Sequence, residues 1–174
     1  MGLIDTHPGT YLPRTDGSLR SIDHAHAEIH AGLHYTFSQT QAVGTTAVSV
    51  LITTPASSEF HTVFSIGAGA AASWTFSEAP NATVTSATAM VAYNNKRSVT
   101  TTSGAVIVSK PTFTSVGTVL QKGYIGAYTN PAKGSGNVGE IRNEWILKAS
   151  TKYLIQATPV AAGTIEISGA FYAE

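Results

Sequence analysis

The chain has 174 residues, enough for one domain that buries a core of its own. Ten Lys plus Arg balance ten Asp plus Glu, and charged residues make up 11 % of the chain, against about 25 % in an ordinary soluble domain; this excludes the basic footprint of a nucleic-acid binder and points to a surface partly buried against other subunits. The chain has no cysteine, which excludes disulfides, thiol catalysis and thiolate metal ligands, and no apolar run long enough for a signal peptide or a membrane span. The expected product is a soluble homo-oligomer made in the cytoplasm, with neither nucleic acid nor membrane as partner.

Residues 1–20 carry Gly2, Pro8, Gly9, Pro13 and Gly17 between isolated apolar residues. This spacing predicts an extended N-terminal arm rather than a helix or a paired strand, with Tyr11, Leu12 and Arg14 as candidate contacts to a neighbouring subunit. Residues 21–174 read as a single β domain: short runs rich in Val, Ile, Thr, Tyr and Phe, broken by Gly, Pro, Asn and Ser about every ten residues, the rhythm of an antiparallel sandwich or barrel.

The first element of that domain, "IDHAHAEIHAGLHYTF" (22–37), concentrates four of the six histidines. On a period of two, Ala25, Ala27, Ile29, Leu33, Tyr35 and Phe37 alternate with His24, His26, Glu28, His30 and His34. A helical reading competes, because Ala25, Ile29 and Leu33 also recur every four residues. Gly32 in the interior and the aromatic ending favour strand, with a kink or bulge at Gly32.

Further along, "AVSVLIT" (47–53) is nearly continuously apolar and predicts a strand covered on both faces. "EFHTVFSI" (59–66) sets Phe60, Phe64 and Ile66 against His61 and Ser65, and "AAASWTFS" (70–77) sets Ala72, Trp74 and Phe76 against Ser73, Thr75 and Ser77. "NATVTSATAMVAYNN" (81–95) admits a short helix through Ala87, Met90 and Val91, and "TNPAKGSGNVGE" (129–140) predicts a loop. "KYLIQAT" (152–158) and "TIEISGAFY" (164–172) alternate as half-buried strands, the latter with Ile165, Ile167, Gly169 and Phe171 inward.

In the strand reading, His24, His26 and Glu28 share a face, with His30 close by, and imidazole and carboxylate ligands of this kind suit Zn²⁺, Cu²⁺ or Ni²⁺. The competing reading, preferred here, is that His24, His26, His30 and His34 line a polar face or a subunit contact, so no metal and no cofactor is expected. The His-x-His pair followed by Glu also resembles the first motif of the cupin metalloenzymes, but there the Glu stands three or four residues beyond the second His, and no second motif follows. Gly-x-Ser-x-Gly, Walker, dinucleotide and His-Glu-x-x-His signatures are missing from the sequence. No catalytic residue is assigned and no enzyme activity is expected.

Three segments taken in order, "DHAHAEIHAGLHYTF", then "AYNNKRS" followed by "PTFTSVGTVL", and finally "EWILKASTKYLIQATPVAAGTIEISGAFYAE", resemble the small head decoration, or cement, proteins of tailed bacteriophages. The resemblance runs from Asp23 to Glu174. It implies a jelly-roll β-sandwich on the outside of a shell of major capsid protein, as a homotrimer, with virion localisation and a structural role. It also implies that Trp145, Ile146 and Leu147 enter a strand, Ala149 and Ser150 turn the chain, and Tyr153 and Ile155 return to the core. A lectin-like module presenting Trp74 or Tyr128 to host glycan is the alternative from a different class, and a cupin-like metal-binding protein is a third.

Overall fold

The computed structural model describes residues 11–13, 19–21, 24–56, 59–83, 87–126, 136–137 and 144–173. In chain order the elements are β1 (Tyr11–Pro13), β2 (Leu19–Ser21), α1 (His24–Ala31), β3 (His34–Val43), β4 (Val48–Thr53), β5 (Phe60–Ala68), β6 (Ala72–Glu78), β7 (Asn81–Thr83), β8 (Thr88–Ala89) and β9 (Tyr93–Asn94). They continue with β10 (Val106–Ser109), β11 (Thr112–Ser115), β12 (Thr118–Ile125), β13 (Gly136–Asn137), β14 (Trp145–Leu147), β15 (Lys152–Pro159) and β16 (Gly163–Ala173).

Among the described residues, two six-stranded antiparallel sheets form a sandwich. One has the order β12-β6-β15-β4-β10-β8; the other has the order β13-β5-β16-β3-β9, with β14 also paired to β5. The chain crosses between the sheets from β3 to β4, β4 to β5 and β5 to β6, and again from β14 to β15 and β15 to β16. Each strand presents every second side chain inward, and these inner faces supply the core.

The core follows the alternation read from the sequence. Phe60, Phe64, Ile66, Trp74, Phe76, Ile165, Ile167 and Phe171 are all buried between the sheets. Aromatic rings bridge the layers: Phe64 of one sheet lies 5.0 Å from Phe76 of the other, and Phe76 in turn meets Tyr153 at 5.8 Å and Trp145 at 5.3 Å. Glycine opposite an aromatic makes room for this packing. A Cβ on Gly169 would stand 2.7 Å from the ring of Phe37, its register partner on β3.

β4 is buried on both faces, as its continuous apolar run predicts. Val48, Val50 and Ile52 join the main core, while Leu51 joins Ala82, Val108 and Leu154 in a smaller cluster. That cluster is covered by Phe113 and Val116, next to the small β7–β11 ribbon. The turn at Ala149 and Ser150 returns Tyr153 and Ile155 to the core, with Ser150 at φ 50.

Four sequence expectations are corrected. Residues 24–31 form a helix rather than a strand, because three of them are Ala, the best helix former, and because Gly32 at φ 80 ends a helix instead of bulging a strand. The segment 81–95 carries β7, β8 and β9 and no helix among its described residues; Ala87 and Met90 pack on different clusters while Val91 stays exposed, so no single helical face forms. Within the expected arm, Leu12 pairs with Arg20 across the β1–β2 ribbon, so this part is a paired strand; the remainder of 1–20 lies outside the described residues. Of the expected loop 129–140, Gly136 and Asn137 extend the sheet beside β5, and the rest lies outside the described residues.

Candidate functional site

The histidine-rich helix ends in a double closure. Leu33 N–H donates to Glu28 C=O at 3.0 Å and Gly32 N–H to Ile29 C=O at 3.1 Å, the paired bonds of a Schellman motif with Gly32 in the left-handed position. The polar run after Tyr93 then clamps this end. Buried Asn94 donates from Nδ2 to Gly32 C=O at 2.7 Å, and Lys96 Nζ donates to His30 C=O at 2.7 Å, placing a cation at the negative end of the helix dipole. Asn95 N–H completes the join by donating to His34 C=O at 2.9 Å.

On this fixed turn His26 and His30 stand four residues apart and project together. Their Nε2 atoms are 3.0 Å apart and their ring centroids 4.7 Å apart, and both residues are exposed. His26 and Glu28, two apart, are turned about 200° from one another by a helix of 3.6 residues per turn. The shared face that the strand reading gave to His24, His26 and Glu28 is therefore not formed. The side chain of His24 lies outside the described residues, and no group of three His, Asp or Glu side chains able to hold one ion occurs among those described.

His34 belongs to a second cluster, on the outer face of β3, β16 and β5. It is buried and stacks on Tyr172 at 6.4 Å, and Tyr172 stacks on His61 at 4.7 Å. His61 Nδ1 lies 3.1 Å from Glu144 Oε1, and the Tyr172 hydroxyl donates to the same carboxylate oxygen. Burial holds the His34 imidazole below its ordinary pKa, opposed by a hydrogen bond with the Asn95 side chain and by the charge of Glu28. A cavity of about 330 Å³ lies here between α1 and the sheet, bordered by Ala25, His34, His61 and Glu144.

The cavity continues into an open groove of about 650 Å³ across the same sheet face, with Val63, Glu144 and Ala170 lining both. Ser65 Oγ and Ser168 Oγ hydrogen-bond at 2.8 Å beside it, and exposed Tyr93 borders it with the Arg97 guanidinium 5.6 Å from its ring centre. The hydroxyls and the Glu144 carboxylate here stand beside Phe37, Val63, Phe64 and Tyr93, so the surface joins a few polar groups to an apolar floor.

The sequence candidates therefore separate. His26 and His30 come together on α1, His34 joins the outer-face cluster, and Tyr11 and Leu12 sit in β1; Arg14 and Tyr128 lie outside the described residues. Trp74 is a core residue packed edge-on to Phe64 and presents no ring to a ligand. His61, Tyr93, Asn94, Lys96, Glu144 and Tyr172 were not singled out from the sequence. The available signal was the alternation that sets His61 and Tyr172 on the outer faces of their strands, together with the polar run Asn94–Lys96. No protein-family model, no curated protein and no solved structure matches the chain.

Proposed function

We propose that this chain is a structural virion protein that decorates and stabilises the outer surface of a tailed-phage capsid, acting as a homotrimer on the major capsid protein. The observation that carries the reading is β12. It is eight residues long, pairs only with β6 among the described residues, and leaves Val119, Leu120 and Tyr124 exposed. An outer strand with such an apolar strip is a liability for a free monomer and an asset for a protein built to be covered by neighbours. The register shift between Val119 and Gln121, together with exposed Lys122, blunts indiscriminate strand addition, which favours docking through side chains.

The strand order supports a jelly roll in particular. β3, β16, β5 and β14 form one four-strand set and β4, β15, β6 and β12 the other, the arrangement of eight strands in two sheets shared by viral capsid, lectin and cupin domains. The low charge fits the same role, and the β1–β2 ribbon near the N-terminus would add contact area on a neighbouring subunit.

The test is to add purified protein to phage heads that lack it. Trimers in solution that bind the shells and raise the temperature at which they open are the expected result. A Leu120→Lys, Tyr124→Lys variant should stay folded and lose shell binding. A monomer without affinity for any head would overturn the proposal.

One observation favours a second reading. The groove beside Tyr93, with its hydroxyls and the Glu144 carboxylate, is of the kind that takes a sugar ring, as a lectin-like module would. Saturable binding to glycans, lost in Tyr93→Ala, together with no affinity for empty heads, would favour that alternative.

A further inference from the structure

Neither reading uses the exposed pair on α1. His26 and His30 lie one helical turn apart with Nε2 atoms separated by 3.0 Å, and the helix beneath them is closed by Gly32 and held by Asn94 and Lys96. The backbone spacing of the pair is thus fixed before any ligand arrives, which reduces the ordering cost of binding.

We infer that His26 and His30 form a two-histidine site for a divalent late transition-metal ion, with Cu²⁺ preferred over Ni²⁺ and Zn²⁺. Neutral imidazole is a good ligand for all three ions, and two histidines at i and i+4 on one helix face are an established way to present it. The Irving–Williams order puts Cu²⁺ first among them, and the spacing is compatible with it. An ion bonded at about 2.1 Å to two nitrogens 3.0 Å apart subtends an angle of about 90° at the metal, the cis angle of square-planar, tetragonal or octahedral coordination. A tetrahedral zinc ion would need the nitrogens about 3.4 Å apart.

In the free protein one of the two rings donates its Nε2 proton to the other. On binding, that ring carries its proton on Nδ1 instead, so that both Nε2 lone pairs face the ion and no net charge is lost from the pair. The described residues supply two ligands and no third, so the remaining positions go to water or to a second copy of the chain.

The test uses the full, untagged chain, titrated with copper sulfate and separately with nickel and zinc chloride, against His26→Ala and His30→Ala. Both side chains are exposed, so the metal-free variants should keep the wild-type unfolding temperature. Saturable copper binding that weakens roughly tenfold or more in each variant, with loss of the two-nitrogen coupling in the copper spin-resonance spectrum, is the expected result. One ion per chain and one ion shared between copies both support the site, provided each variant removes it. Copper binding unchanged in both variants, or no saturable binding to the wild-type chain, would overturn it.

Discussion

The hydroxyl of Tyr153 donates to Oε2 of Glu78 at 3.0 Å while it accepts the backbone N–H of Lys148 at 2.9 Å, so one buried side chain ties β15 to the end of β6 and to the turn after β14. Lys148 Nζ reaches back to Glu78 Oε1 at 2.7 Å, and this hydrogen bond, more than that of Tyr153, holds the Glu78 carboxyl below the usual range against the opposing effect of burial. The Lys148 side chain is largely exposed, so its ion pair contributes little to stability. Burial pushes the Tyr153 hydroxyl up to about 12. Tyr153→Phe leaves the Lys148 N–H without its acceptor and should cost about 1–2 kcal/mol in urea unfolding.

The same group predicts an alkaline limit. Tyrosine in the unfolded chain loses its proton near pH ~10, whereas Tyr153 in the folded chain keeps it to about 12. The folded state thus holds more protons across that window, and the contribution of Tyr153, complete below pH ~10, should be lost as pH rises toward 12. Tyr153→Phe should show a shallower decline across the window. Equal slopes in the two proteins would show that Tyr153 is not the group responsible.

His34 sets the corresponding behaviour in mild acid. Its pKa is lowered by burial, so as pH falls below ~6.5 the unfolded chain takes up the proton first and stability drops toward the lower folded value. His61, Tyr172, Glu144 and Glu28 surround it. His34→Phe keeps a ring against Tyr172 but cannot charge, and its unfolding free energy should vary less between pH 7 and 5. An unchanged slope would refute the assignment.

Two glycines are held by aromatic rings directly across the strand pair. A Cβ on Gly123 would stand 2.6 Å from Nε1 of its partner Trp74, and one on Gly169 would stand 2.7 Å from the ring of Phe37. Gly123→Ala and Gly169→Ala should each cost about 1–3 kcal/mol by overpacking. Their effects should add, since they lie in different sheets. Gly44, with open space around it, is the control, and Gly44→Ala should leave the urea midpoint nearly unchanged.

The helix closure can be probed at both partners. Gly32→Ala forces a side chain into φ 80 against Val99 and should cost about 1 kcal/mol. Asn94→Ala strips the buried Gly32 C=O of its donor and should cost about 1–2 kcal/mol. Circular dichroism with chemical unfolding reports both, and wild-type stability in Asn94→Ala would mean that the clamp is dispensable.

What was legible in the sequence was the period-two pattern of the long strands. Phe60, Phe64, Trp74, Phe76, Ile165, Ile167 and Phe171 declare their inward face because burying alternate side chains is the only way such a run becomes a sheet, and β4 declares burial on both faces by having no polar side to expose. The stretch around the histidines satisfied periods of two and of about four at once, and local pattern does not choose between them. Helix propensity and the Gly32 stop tip the balance, and Asn94, Lys96 and Val99, more than sixty residues away, bond and pack against the end of α1 where Gly32 takes its left-handed place. For the same reason the outer-face cluster stayed hidden: His34, His61, Glu144 and Tyr172 lie far apart along the chain and meet only where β3, β5 and β16 pair side by side. Alternation along one strand states which way a side chain points, whereas pairing between distant strands decides what it meets.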